Sequence, residues 1–285
     1  MFVIRLRSLI LYILIFVFLV TSAFVYFDAF AEWEEIKDVE LPILMYHAIC
    51  DGKAKEGKFV ITKEELEKDL KYLKDEGYTT ISSAELIEFV EKGTPLPEKP
   101  IMLTFDDGYY NNYCYAFPLL KKYNAKAIIS IIGKHTDMYS EISEDNPAYS
   151  HITWDQAREM IESGLIEIQN HSYDSHTTDR GRNGTKKKKG ETQTAYREYI
   201  HDDIGRLQEE IKENLGYTPM VFTYPFGSIS EASCDILKEM GFKMTLSCAE
   251  KVSKIKAGDH ECLYRLGRYL RANKISAEKI LNKIK

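Results

Sequence analysis

The chain has 285 residues, 44% of them hydrophobic, and a formal net charge of -6. That is enough for one sizeable core, and a barrel of alternating strands and helices commonly uses about 250 residues as a single domain. Lys and Arg are spread through a net acidic chain, which argues against the basic face of a nucleic-acid binder, so no nucleic-acid partner is expected. Cys50, Cys114, Cys234, Cys248 and Cys262 form no C-x-x-C pair and are odd in number, so neither a disulfide framework nor a cysteine metal site is expected.

The first thirty residues differ from the rest. Arg5 and Arg7 precede a continuous apolar run over residues 9–27, and Glu32, Glu34 and Glu35 come after it. Basic residues ahead of such a run keep the N-terminus inside and place the remainder of the chain outside the membrane. About 19 apolar residues can span a bilayer, whereas the apolar part of a cleaved signal is typically about 7 to 15. Ala29-Phe30-Ala31 has the small-x-small form of a cleavage site, so anchor and removed signal both stay open. The expected organisation is a signal peptide or signal anchor at 1–31, a linker at 32–40 and one domain at 41–285. That domain is expected to act outside the cytoplasm, anchored or secreted to the cell wall, as a monomer.

Residues 41–49 read as a first strand, with Pro42 near its start where a missing N–H costs least. Thr62 with Glu65 and Ser82 with Glu85 form capping boxes that open two helices, which Gly77 and Gly93 close. Residues 101–108, Ile-Met-Leu-Thr-Phe-Asp-Asp-Gly, read as a buried strand ending in two carboxylates and a glycine. Next come an aromatic-rich helix to about Tyr123, a strand over 125–132, a helix capped by Thr153 and Gln156, and a strand over 165–169. Beyond a polar loop, a helix over 195–215, a strand over 220–224, a helix over 231–240, strands over 242–247 and 263–270 and a terminal helix complete the pattern. Lys186 to Lys189 in that loop read as a solvated surface or as a patch for an anionic wall polymer. Seven or eight strands alternating with helices predict an α/β fold, a closed or nearly closed parallel barrel.

In such a barrel the carboxyl ends of the strands meet on one face, bringing together Asp106, Asp107, His171, His176 and the Tyr224-Pro225-Phe226-Gly227 turn. Neighbouring side chains in an extended strand point to opposite sides, so the two aspartates can hold different jobs. Two imidazoles and one carboxylate leave positions open on a divalent ion, as hydrolysis requires, and zinc, cobalt or nickel would suit. Taken singly, each motif also has a plain reading, as a solvated Asp-Asp-Gly turn, an incidental histidine pair or an ordinary proline turn.

Together, Thr104-Phe105-Asp106-Asp107-Gly108, His171-Ser172-Tyr173-Asp174-Ser175-His176 and Tyr224-Pro225-Phe226-Gly227 resemble the polysaccharide deacetylases that share the NodB homology domain. The resemblance implies a distorted parallel (β/α) barrel of about seven strands in a single domain. It also implies removal of N-acetyl groups from amino-sugar polymers such as peptidoglycan, chitin or poly-N-acetylglucosamine. Carried over, it makes Asp106 the general base, Asp107, His171 and His176 the ligands of a divalent metal ion, zinc first, and the Phe226 N–H the oxyanion donor. The histidines here are five apart, as in the branch resembling poly-N-acetylglucosamine deacetylases. There the motif order is permuted and the acid histidine ends a Met-Tyr-His strand, which Met45-Tyr46-His47 matches, so His47 is the candidate general acid. Two family features are missing: Thr223 stands where an arginine usually tethers the base, and residues 263–270 lack the leucine-plus-histidine motif. Arg265 or Arg268 could replace the tether. Alternatives are an O-acetyl esterase on a xylan-like glycan and an inactive membrane-tethered glycan-binding homologue.

Overall fold

The computed structural model describes residues 6–34, 38–52 and 57–284. It divides into two units, Met1–Asp38 and Val39–Lys285. The first unit holds helix α1 (Leu6–Glu34), whose described side chains between Leu9 and Val25 are exposed. Among the described residues no helix is long and apolar enough to cross a membrane, and the 9–27 run includes side chains outside the described set.

The second unit begins not with one strand but with three short ones, β1 (Val39–Leu41), β2 (Ile43–Tyr46) and β3 (Ala48–Cys50). Pro42 cannot donate to a ladder, which divides the first two. Strand β4 (Val60–Thr62) pairs with β3 and runs into α2 (Lys63–Asp75), opened by the reciprocal Thr62–Glu65 capping box. After β5 (Thr79–Thr80), the Ser82–Glu85 box opens α3 (Ser83–Lys92), and Gly93 closes it in the left-handed conformation. Strand β6 (Pro100–Phe105) is buried at all six positions, as an apolar run in a parallel sheet must be.

A π-helical turn, Asn112–Ala116, leads into α4 (Phe117–Tyr123), then β7 (Ala127–Ile131) and α5 (Gly133–Ile142). Helix α6 (Trp154–Glu162), with its Thr153–Gln156 box, precedes β8 (Ile166–Asn170). The remaining elements are α7 (Gln193–Leu215), β9 (Val221–Thr223), α8 (Glu231–Glu239), β10 (Met244–Leu246), β11 (Ser253–Ile255), β12 (Tyr269–Leu270) and α9 (Ala277–Ile284).

Seven parallel strands run in the order β10-β9-β8-β7-β6-β2-β12, with β5 added beside the start of β6. At the far edge Leu246 of β10 forms a parallel bridge to Leu266, three residues before β12 begins its pairing with β2. The segment carrying Leu266 and β12 thus meets both edges and curls the sheet into the expected distorted barrel. Residues 263–270 do not form one strand as the sequence suggested: a 3-10 turn, His260–Leu263, takes up the start of the segment, and Gly267 and Arg268 separate the Leu266 bridge from β12. Parallel neighbours need crossover connections, and the helices supply them while covering the sheet with Leu66, Leu70, Leu120, Ala157, Met160, Leu207 and Ile211. Each of the Leu, Ile and Met side chains so buried contributes on the order of 1.5–3 kcal/mol, before conformational entropy is subtracted.

Asp69, buried in α2, ties the chain ends together: it accepts from Tyr46 Oη (3.3 Å) on β2 and the Ala277 N–H (3.0 Å) of α9, and pairs with Arg271 beyond β12. This holds β12 and the segment before it in place, and that segment supplies the residue that completes the site.

Candidate active site

The Asp106-Asp107-Gly108 turn leaves β6 with Asp107 at φ 73° and Gly108 at φ 66°, both left-handed. The turn reverses the chain so sharply that Asp107 swings away from Asp106. A Cβ on Gly108 would lie 2.9 Å from Ile131 Cγ2, and one on Gly227 2.8 Å from Cys248 Cβ, so both motif glycines are sterically required. Ser172 (φ 76°) and Phe226 (φ 56°) are left-handed as well. All three motifs therefore carry a non-glycine residue in a sparsely populated conformation, and such strain gathers where a site is over-determined by its surroundings.

Asp107 Oδ1 stands 3.5 Å from His171 Nε2 and 3.3 Å from His176 Nε2. The three donor atoms lie within 4.8 Å of one another. His171 Nδ1 is 2.7 Å from the Thr223 carbonyl, so it carries the proton and leaves the Nε2 lone pair facing Asp107. The His171–His176 loop is pinned from α7, where the Asp203 carboxylate accepts the N–H groups of Tyr173 (3.1 Å) and Asp174 (2.9 Å). Asp107 Oδ1 is buried yet has no hydrogen-bond partner. A buried carboxylate oxygen left unpartnered between two imidazole nitrogens is costly unless a cation completes the set, so these residues fit a divalent ion. Burial pushes the Asp107 pKa up, but where no cation is bound, positive charge on protonated His171, then on His47 and His176, outweighs it and holds the carboxyl well below the usual range.

Asp106 is 2% exposed and does not join this cluster. Its oxygens take a two-pronged contact from Arg268, NH1 to Oδ1 at 2.6 Å and NH2 to Oδ2 at 2.8 Å. Arg268, fully buried, also donates to Thr104 Oγ1 (3.1 Å) and the Ser247 carbonyl (2.9 Å). Burial raises the Asp106 pKa, but the guanidinium more than reverses this, keeping the group ionised and fixed. Of the two tether candidates, Arg265 is turned elsewhere, its Nε donating to Cys234 Sγ at 3.0 Å. Thr223, at the usual arginine position, instead contributes its carbonyl to His171 and a 2.7 Å hydroxyl contact to Ser130.

His47 Nε2 lies 4.0 Å from Asp106 Oδ2. Burial lowers its pKa, with Asp106 and Asp107 pulling the other way, and its Nδ1 is buried without a partner. Asn112, just beyond the Asp-Asp-Gly turn, donates to the His47 carbonyl (2.8 Å), and Asn111 accepts from Ile49 N–H (2.8 Å). These two asparagines fix His47 relative to β6; only their adjacency to the carboxylates could have pointed to them. In the Pro225–Gly227 turn, Gly227 and Ser228 donate their N–H groups to Tyr224 and Pro225, whereas the Phe226 N–H has no acceptor among the described residues. All six predicted site residues line one cleft of about 520 Å³, with Met45, Phe59, Tyr109 and Leu270 among its apolar wall.

Behind Tyr109 lies a histidine pair the sequence did not single out. His135 Nδ1 and His151 Nε2 are 3.1 Å apart, and Tyr109 packs on His151 at 4.9 Å between centroids. Burial, then His135, pushes the His151 pKa down to about 3. Its folded value thus lies below the unfolded value near 6.5. The stability held by neutral His151 is complete above about pH 6.5 and is lost as pH falls toward 3, at up to about 1.4 kcal/mol per pH unit. Urea unfolding of the wild type and His151→Gln between pH 7 and 4 should show the shallower pH dependence in the variant; equal slopes would contradict this.

A family model described as "Polysaccharide deacetylase" matches residues 93–245, more than half of the chain and inclusive of all three motifs. The chain belongs to the polysaccharide deacetylase family. Among curated family members, the Bacillus subtilis (strain 168) protein YxkH is 32% identical over 209 residues, covering 73% of this chain and 64% of that protein. The poly-beta-1,6-N-acetyl-D-glucosamine N-deacetylase of Escherichia coli (strain K12) is 27% identical over 228 residues, covering 70% of this chain and 33% of that enzyme. The chain thus spans less than two thirds of either relative. Among solved structures, a de-N-acetylase from Aggregatibacter actinomycetemcomitans superposes with a TM-score of 0.74 at 27% identity, over 86% of this chain and 99% of that one.

Proposed function

We propose that this deacetylase removes N-acetyl groups from an amino-sugar polymer of the poly-N-acetylglucosamine type. The observation that carries the reading is the separation of duties at one strand end: Asp107 faces His171 and His176, while Asp106, 4.0 Å from His47, is held apart by Arg268. The names of the E. coli and A. actinomycetemcomitans relatives support the amide substrate.

Asp107, His171 and His176 would hold the divalent ion, zinc first, with cobalt or nickel as alternatives. Such an ion supplies Lewis acidity, lowering the pKa of a water and polarising the acetyl carbonyl. Asp106, kept ionised by Arg268, accepts the proton of the attacking water. The unpartnered Phe226 N–H donates to the oxygen that gains charge. His47 gives the departing amine its proton as the C–N bond breaks, releasing acetate. Arg5 and Arg7 ahead of the apolar run support action outside the cytoplasm, on wall or exopolymer glycan.

The test is acetate release from β-1,6-linked N-acetylglucosamine oligomers, with an O-acetylated xylan oligomer in parallel. The amide is expected to be turned over, and activity should disappear with chelator and return with zinc. Turnover of the ester alone, or activity untouched by chelation, would sink the reading.

A further inference from the structure

Most large apolar side chains of the unit from Val39 onward are buried, but two phenylalanines are not. Phe59 is 45% exposed and Phe226 46%, and they are the exposed phenylalanines of this unit among its described residues. Both line the cleft that holds the six site residues. Each is braced against a site histidine: Phe59 lies 4.8 Å from His47 between ring centroids, and Phe226 4.3 Å from His176. Two rings packed on site histidines and left wet are poorly explained by folding, since covering them would gain burial energy. They are well explained by a ligand with an apolar face.

We propose that Phe59 and Phe226 are the two stacking walls of a pyranose-chain subsite, one on the His47 side and one on the His176 side of the reacting sugar. The inference rests on the glycan reading above and deepens it. A pyranose presents axial C–H groups on its faces and hydroxyls around its rim, so it can lie on an aromatic ring while its edge stays hydrated. On that reading His47 gives the leaving amine its proton and His176 would help hold the ion, so rings packed on the two histidines stand on opposite sides of the reacting group. The exposed ammonium of Lys58, 4.9 Å from the Phe59 centroid, stands where it can donate to a rim hydroxyl. Binding made outside the reacting bonds holds substrate and transition state alike, so its loss should appear in KM and leave kcat.

The experiment measures acetate release against oligomer length for the wild type, Phe59→Ala and Phe59→Trp, with thermal unfolding of each. Phe59 is chosen because Phe226 supplies a backbone N–H to the chemistry. The wild type should show KM falling as the oligomer lengthens. Phe59→Ala should raise KM for the long oligomer about tenfold at unchanged kcat, and Phe59→Trp should restore it. Unchanged KM in Phe59→Ala, or a loss confined to kcat, overturns the proposal while the functional reading stands. A wild type that releases acetate from no oligomer overturns the functional reading itself, and the two failures are told apart by the wild type alone.

Discussion

Asp106→Asn is expected to lower kcat for acetate release by about 10²- to 10⁴-fold, the range that removal of a general base commonly costs. The asparagine keeps the shape and one acceptor oxygen, so Thr104 and Arg268 retain much of their geometry, but it cannot take a proton. KM should change little if Asp106 acts, as proposed, on the attacking water and not on the sugar. Steady-state kinetics with a thermal unfolding curve for the same preparation separates lost chemistry from lost fold. A folded variant within tenfold of wild-type kcat would remove Asp106 from the base role.

The second large effect concerns stability. Arg268 is wholly buried and its partner Asp106 is 2% exposed. Removing one member of a buried, fully bonded pair strands the other, at a cost of about 3–5 kcal/mol. Arg268→Met should therefore lower the unfolding free energy by that order and reduce kcat through a disordered Asp106. Asp106→Asn in the Arg268→Met background should recover part of the loss, since it removes the stranded charge. The two substitutions should be clearly non-additive in urea unfolding. Additive losses would mean that the pair is not a coupled unit.

Much of this arrangement is local and was legible in the sequence. The three capping boxes open α2, α3 and α6 at the expected residues, because a cap is a contact between residues three apart. Strand β6 was legible because an uninterrupted apolar run has few other places to go. Helix α5 was missed: Ile132 at its start offers no side-chain cap, and residues 133–142 are mixed in polarity. The antiparallel pairing of β1 with β11, residues 39–41 with 253–255, left no local mark.

The tether shows the limit most clearly. Arg265 and Arg268 are three residues apart and alike in composition. What separates them is the left-handed backbone at Arg265 (φ 60°), with its side chain turned to Cys234, and the bridge of Leu266 to β10 that carries Arg268 into the barrel. Those are long-range events, set by how the two sheet edges meet rather than by the residues beside each arginine. His135 and His151 were unreadable for the same reason, since they stand sixteen positions apart with the rest of α5 and a loop between them.

The account turns on the cluster of Asp107, His171 and His176, and metal stoichiometry measures it most directly. The protein is stripped with chelator and titrated with zinc calorimetrically, wild type beside Asp107→Asn. One ion per chain is expected in the wild type, with affinity reduced at least about tenfold in the variant. A variant that binds zinc as tightly as the wild type, or a wild type that binds none, would contradict it.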